Sequence, residues 1–224
     1  MNKIKEIIES NLNTVLMIGG AFIICIIVIV VIIMMNGDGK LLVFSSYDSK
    51  EFKDDYEQYN DKISEDGKKY PKVDVANNNK VKYSTVEEIV ELFENKEDVV
   101  IYFGEATCLY CRTAVQILFD IVEKSDLDIV YYLPVTDDTD YSDILKYLDK
   151  EMIKNKKEIT IPMVAFVVNG DVVSFWEGTV FSQKTPYDEL DKYQIEGISE
   201  IYQYGIRDVL RGIEDKKKAK ELMD

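Results

Sequence analysis

The chain has no histidine and only three cysteines in 224 residues. A mononuclear structural zinc site takes four Cys or His ligands. Cys25 sits in a long apolar stretch, so only Cys108 and Cys111 remain to supply them. Zinc would then need a second chain or carboxylates to complete its shell. Positive charge is scarce as well, with 27 Lys and Arg against 42 Asp and Glu and a net charge of −15. That balance argues against a nucleic-acid partner, because phosphate binding needs clustered Lys and Arg. It argues equally against docking on anionic lipid head groups. The acidity reads as a solvated surface. No internal repeat is present, and the length suits one domain with appendages.

Uncharged runs long enough to span a bilayer are absent too, with one exception. "TVLMIGGAFIICIIVIVVIIMM", residues 14–35, is 22 residues without a charge. As a helix it would measure about 33 Å, enough for a bilayer core of about 30 Å. A cleavable signal has a shorter apolar region and a small-x-small site after it; "MMNGDGK" has none. Nor do small residues precede Cys25, as a lipoprotein signal requires. The run therefore reads as one uncleaved transmembrane helix, with Cys25 a small apolar filler in it. Residues 1–13 form a short cytoplasmic tail in which Lys3 and Lys5 offset Glu6 and Glu9, so all the net negative charge follows the span. The expected orientation is N-terminus inside and domain outside, anchored single-pass in the cell membrane.

Residues 36–80 are polar and tyrosine-rich, a linker or an N-terminal extension packed on the domain of residues 81–224. Phe52, Tyr56, Tyr59 and Ile63 recur at helical spacing there. "YSTVEEIVELFENKE" opens with a capping box, Ser84 to Glu87 or Thr85 to Glu88, and continues as a helix. "DVVIYFGE" and "LDIVYYLPVT" have the continuous apolar character of buried strands. A helix follows the cysteines to about Lys124, and "DYSDILKYLDKEMI" reads as another, with Ile144, Leu145 and Leu148 inward. "IPMVAFVVNGDVVSFWEG" is a hairpin turning at Asn169-Gly170. From Pro186 on, the chain reads as a long terminal helix with a candidate break near Gly197. This order implies an α/β domain of three layers, with two parallel crossover strands and an antiparallel pair in a mixed sheet.

Cys108 falls at the first turn of the helix after a strand, where free N–H groups and the positive dipole end favour an anion. A thiolate is such an anion, which makes Cys108 the candidate nucleophile. Cys111 returns to the same face and can close a small ring with it. Four readings stand: a redox centre, part of a zinc site, two inert buried thiols, or an inert structural disulfide. A helix mouth beside a loop favours the first.

With "TIP" at Thr160–Pro162 and "FVVNGDVVSFWEG" ending at Gly178, the strand–CxxC–helix unit resembles the thioredoxin fold over roughly residues 85–211. "YFGEATCLYC" and "WEGTVFSQKTPYDEL" are similar, more narrowly, to bacteriocin-transport accessory and related membrane-anchored thioredoxin-like proteins of Gram-positive bacteria. The resemblance implies that Pro162 is cis and faces the cysteines. It implies that Ile161 offers backbone hydrogen bonds to a bound peptide, with Leu109 and Tyr110 on the same substrate-binding surface, and that Gly178 lets substrate approach. The chain departs from the pattern at several points. Leu109 stands where the accessory proteins have proline, Tyr102 where thioredoxin has a buried aspartate, and Thr107 where it has tryptophan. Glu105 becomes the candidate proton relay by proximity.

The expected function is a membrane-tethered, extracytoplasmic thiol–disulfide oxidoreductase. It would act on protein or peptide thiols and disulfides, with a membrane redox partner and with no cofactor or metal. Two other classes remain: a redox accessory or adaptor for export of a disulfide-bonded peptide, and a non-catalytic thioredoxin-fold binding domain.

Overall fold

The computed structural model describes residues 46–148 and 158–222. The expected cytoplasmic tail and transmembrane helix, 1–13 and 14–35, lie outside the described residues. Among the described residues no helix is long and apolar enough to cross a membrane.

Five strands form one mixed sheet. They are β1 (Val81–Tyr83), β2 (Val99–Gly104), β3 (Val130–Pro134), β4 (Met163–Val168) and β5 (Asp171–Glu177), in the spatial order β1-β3-β2-β4-β5. β3 runs parallel to both β1 and β2, whereas β4 is antiparallel to β2 and to β5. The β4–β5 hairpin turns at Asn169 and Gly170, both at positive φ, as a two-residue turn of this hand requires. β1 has no counterpart in the sequence reading. Its three residues, between an Asn-rich loop and a helix cap, become a strand only through pairing with β3.

Strand alternation divides the core in two. Val100, Tyr102, Val130, Tyr132, Val164 and Phe166 point to one face. Ile101, Phe103, Tyr131, Leu133, Met163 and Ala165 point to the other. The first face is covered by α1 (Ser46–Glu57), α3 (Leu109–Val122) and α4 (Lys192–Glu221). The second is covered by α2 (Val86–Glu94) and the turn at Ile144–Lys146. The three layers are therefore helix, sheet, helix. Segment 46–80 is not a free stalk: Phe52, Tyr56, Val73 and Val75 belong to the first core.

Of the two capping boxes the sequence offers for α2, Thr85–Glu88 is the one formed. Three local expectations need correction. α1 ends at Glu57, so Tyr59 and Ile63 fall beyond it and Ile63 is exposed. The helix expected from Asp140 is, as far as Leu148, only the 3-10 turn Ile144–Lys146; its remainder lies outside the described residues. The Tyr141 hydroxyl, which accepts from Thr136 N–H at 2.7 Å and reaches the Pro134 carbonyl at 3.2 Å, ties this segment to the end of β3. The terminal helix starts at Lys192 rather than Pro186. Asp188 accepts from the N–H groups of Lys184 and Thr185 and holds a loop there, and Asp191 is the N-cap. α4 then runs through Gly197 unbroken.

Candidate functional site

β2 delivers the chain to Gly104 at the carboxyl edge of the sheet, and the loop Glu105–Thr107 leads into α3. Cys108 is the N-cap of that helix. Its Sγ accepts from the Cys111 N–H at 3.1 Å, the position a serine or aspartate oxygen takes in an ordinary cap. Cys108 and Cys111 are joined as a disulfide with Cα atoms 5.1 Å apart. Cys108 is half-buried and Cys111 is 0% exposed. An incoming sulfur therefore meets Cys108 first, and the helix N–H groups stand ready for the thiolate that reduction would leave there.

Tyr102 lies beneath the pair. Its hydroxyl sits 3.4 Å from the Cys111 carbonyl and 3.0 Å from the hydroxyl of Tyr56, which α1 supplies. The ring of Tyr102 stacks on that of Tyr132, whose hydroxyl donates to the Gly104 carbonyl at 3.3 Å. Burial pushes the Tyr56, Tyr102 and Tyr132 phenols up from their ordinary value. A phenol so placed stays neutral and serves as a donor, not as the base a carboxylate would be. Gly104 is needed above it, because a Cβ there would fall 2.3 Å from the Tyr102 hydroxyl. Glu105 lies in the loop before the cysteines, where its Oε1 accepts from the Thr107 hydroxyl.

Pro162 follows a cis peptide bond and precedes β4. Because Phe103 pairs with Met163, Pro162 comes to the same edge of the sheet as Gly104. The Pro162 carbonyl accepts from Gly178 N–H at 2.7 Å, and Gly178 has a φ of 80°, which favours glycine. Tyr110, Ile161, Pro162, Trp176, Gly178 and Phe181 line a shallow groove of about 410 Å³. Of the expected site residues other than the cysteines, Tyr110, Ile161, Pro162 and Gly178 thus share a surface. Leu109 is half-buried at the first turn of α3, and Glu105 does not line the groove. Phe181, fully exposed on the loop after β5, was not anticipated. That loop is held by Trp176 Nε1 donating to the Thr179 carbonyl at 2.9 Å, and by a Thr179–Gln183 hydrogen bond. Its signal in the sequence was the stretch "WEGTVFSQKTPYDEL", which carries the one tryptophan of the chain two residues before Gly178.

Arg112 was also missed. It follows Cys111 directly, yet its guanidinium is enclosed by the segment 56–71. Its position four residues after Cys108, on the same helix face, was the available signal.

No family model and no curated protein matches the chain. Among solved structures it is similar to thioredoxin from Aeropyrum pernix, with 24% identity and a TM-score of 0.33, over 54% of this chain and 86% of that one.

Proposed function

We propose that this protein is a thiol–disulfide oxidoreductase acting on protein or peptide substrates. The observation that carries the reading is the Cys108–Cys111 disulfide at the start of α3, with one sulfur half-exposed and the other buried. The groove from Tyr110 to Pro162 is a place for an extended peptide beside it. In the reducing direction, the Cys108 thiolate attacks one sulfur of a substrate disulfide. A Cys108–substrate disulfide forms and the other substrate sulfur leaves as thiolate. Cys111 gives up its proton and attacks Cys108 Sγ, so the second substrate sulfur leaves and the protein disulfide closes. The oxidising direction is the reverse. Two electrons pass in either case and no cofactor is needed.

Single-cysteine variants test this reading. Cys111→Ser should accumulate mixed disulfides in cells, seen on a non-reducing gel, since the first attack proceeds and the second cannot. Cys108→Ser should accumulate none and should lose exchange with insulin or glutathione. Equal trapping by both, or prior alkylation of Cys111 in the reduced protein, would reverse the roles. Inertness of both thiols would make the pair a structural staple.

The same proposal includes the location. Residues 14–35 serve as a single-pass anchor, supported by 22 uncharged residues with no cleavage site after them. The domain from Lys40 on lies outside. Protease added to intact protoplasts should degrade the domain; full protection would refute the orientation, and a soluble mature protein the anchor.

A further inference from the structure

Arg112 carries a full positive charge into the protein interior. It is 0% exposed. Nε donates to the Pro71 carbonyl at 2.7 Å, Nη1 to the carbonyls of Tyr56 at 2.7 Å and Ala106 at 3.1 Å, and Nη2 to Asn60 Oδ1 at 2.7 Å. The rings of Tyr59 and Tyr70 lie 5.9 and 5.6 Å from the guanidinium carbon. Each of these partners is neutral, and among the described residues no carboxylate pairs with Arg112. Buried arginines are ordinarily matched by an anion, because an uncompensated charge in a low-dielectric interior is costly. Here the geometry satisfies four of the five N–H donors and leaves the charge itself unanswered.

One group close by acquires negative charge during the proposed reaction. Cys108 and Arg112 are one helical turn apart on the same face of α3, and the Arg112 N–H donates to the Cys108 carbonyl at 3.1 Å. Residues so spaced have Cβ atoms about 6 Å apart. Helical side chains lean toward the N-terminus, and the bond to Ala106 O shows that this one reaches back past the start of the helix. The guanidinium thus stands behind the loop that presents Cys108.

We propose that Arg112 is a positioning residue for the redox centre: a buried cation, held in place by the N-terminal extension, that stabilises the Cys108 thiolate and so favours the reduced state of the pair. This rests on the reading of Cys108 and Cys111 as a redox centre. The titratable groups that act most on the guanidinium are the phenols of Tyr56, Tyr70, Tyr102 and Tyr59, and burial keeps Tyr56 and Tyr102 neutral. Arginine remains protonated even though burial draws its pKa down. In the disulfide state there is no anion to stabilise, so the cation acts on one side of the equilibrium only. Both charges lie beyond the Cβ atoms; at a charge separation of about 12 Å, through an effective dielectric of about 20, one charge moves a neighbouring thiol by about one pKa unit.

The full-length protein in detergent is equilibrated with glutathione. The reaction is protein disulfide plus two glutathione thiols giving two protein thiols plus glutathione disulfide. Arg112→Lys keeps the charge but cannot reproduce four hydrogen bonds. Arg112→Met and Arg112→Gln remove the charge. The expected result is that both neutral variants shift the equilibrium toward the protein disulfide by about tenfold, or about 30 mV in a two-electron couple. Their Cys108 thiolate absorbance should titrate about one pH unit higher. Arg112→Lys should stay within about threefold of the wild type, about 14 mV on the same scale. Equal behaviour of the Lys and neutral variants, whether all shifted or all unshifted, would make Arg112 a structural clamp and overturn the proposal. If neither neutral variant folds, Arg112→Lys decides: a tenfold shift overturns the proposal, and retention supports it. A pair that equilibrates with glutathione but turns over no protein substrate would sink the enzymatic reading and leave this inference standing.

Discussion

Tyr56 and Tyr102 bring two phenolic hydroxyls 3.0 Å apart in a fully buried place. Each hydroxyl is therefore the other's main compensation for losing solvent. Tyr102→Phe leaves the hydroxyl of Tyr56 only its weaker interaction with Tyr132, and Tyr56→Phe largely strands that of Tyr102, whose remaining contact with Cys111 O is long at 3.4 Å. Each single change should cost about 1–3 kcal/mol, the desolvation of an unmatched buried group, whereas losing both hydroxyls should cost less than the sum. Denaturant midpoints of the two single variants and the double variant measure this coupling; strict additivity would show that the bond has no energetic role. At this scale the site was half legible. The cysteine spacing and "TIP" marked the disulfide-bonded pair and the cis proline at the same edge of the sheet. Tyr102 was visible only as a missing carboxylate, because its partner lies 46 residues earlier in a segment with no motif. Arg112 was adjacent to the motif, but nothing in its own neighbourhood shows that 56–71 folds over it.

The elements that came through clearly from sequence were those set by local rules. α2 has its capping box at Thr85–Glu88, and the hairpin has Asn169-Gly170. Those that shifted depend on distant partners: β1 exists through β3, and α4 waits for Asp191 because Asp188 ties down the loop before it. Two of the three glycines inside α4 show the same division. Gly197 is exposed and an added Cβ meets nothing within 4 Å, so Gly197→Ala should raise stability by about 0.5–1 kcal/mol through helix propensity alone. Gly205 is buried, and a Cβ there would lie 2.3 Å from the ring of Phe166 on β4. Gly205→Ala should lower stability by about 1–3 kcal/mol by forcing helix and sheet apart. Thermal unfolding of both variants reads the opposite signs; the same sign at both positions would mean that α4 does not seat on Phe166.

On the scale of the whole molecule, the interior is rich in phenols. Tyr56, Tyr102, Tyr132 and Tyr202 are almost wholly buried, and burial raises all four above the ordinary value of 10.0. Below about pH 10 these phenols are neutral whether the chain is folded or not, and the fold keeps its full stability. Above it the unfolded chain releases four protons that the folded protein retains. Stability then falls by about 1.4 kcal/mol per pH unit for each, or about 5 kcal/mol per unit together. Alkaline titration should show exposed tyrosines ionising gradually and the buried set appearing abruptly with unfolding; smooth ionisation of all phenols in the folded protein would contradict this. The same interior imposes an order in time. Asn60 and the Tyr56 carbonyl meet Arg112 only across 52 and 56 residues of chain, and Phe52 packs on Tyr132, 80 residues on. Such distant pairings must close large loops before they are rewarded, so they form late. Segment 46–75 is the first part of the domain to leave the ribosome, yet it has nowhere to settle until β3 has followed. During that interval its aromatic face stays uncovered, next to the membrane if the proposed anchor holds, which makes this stretch the one most open to a chaperone or to aggregation during synthesis.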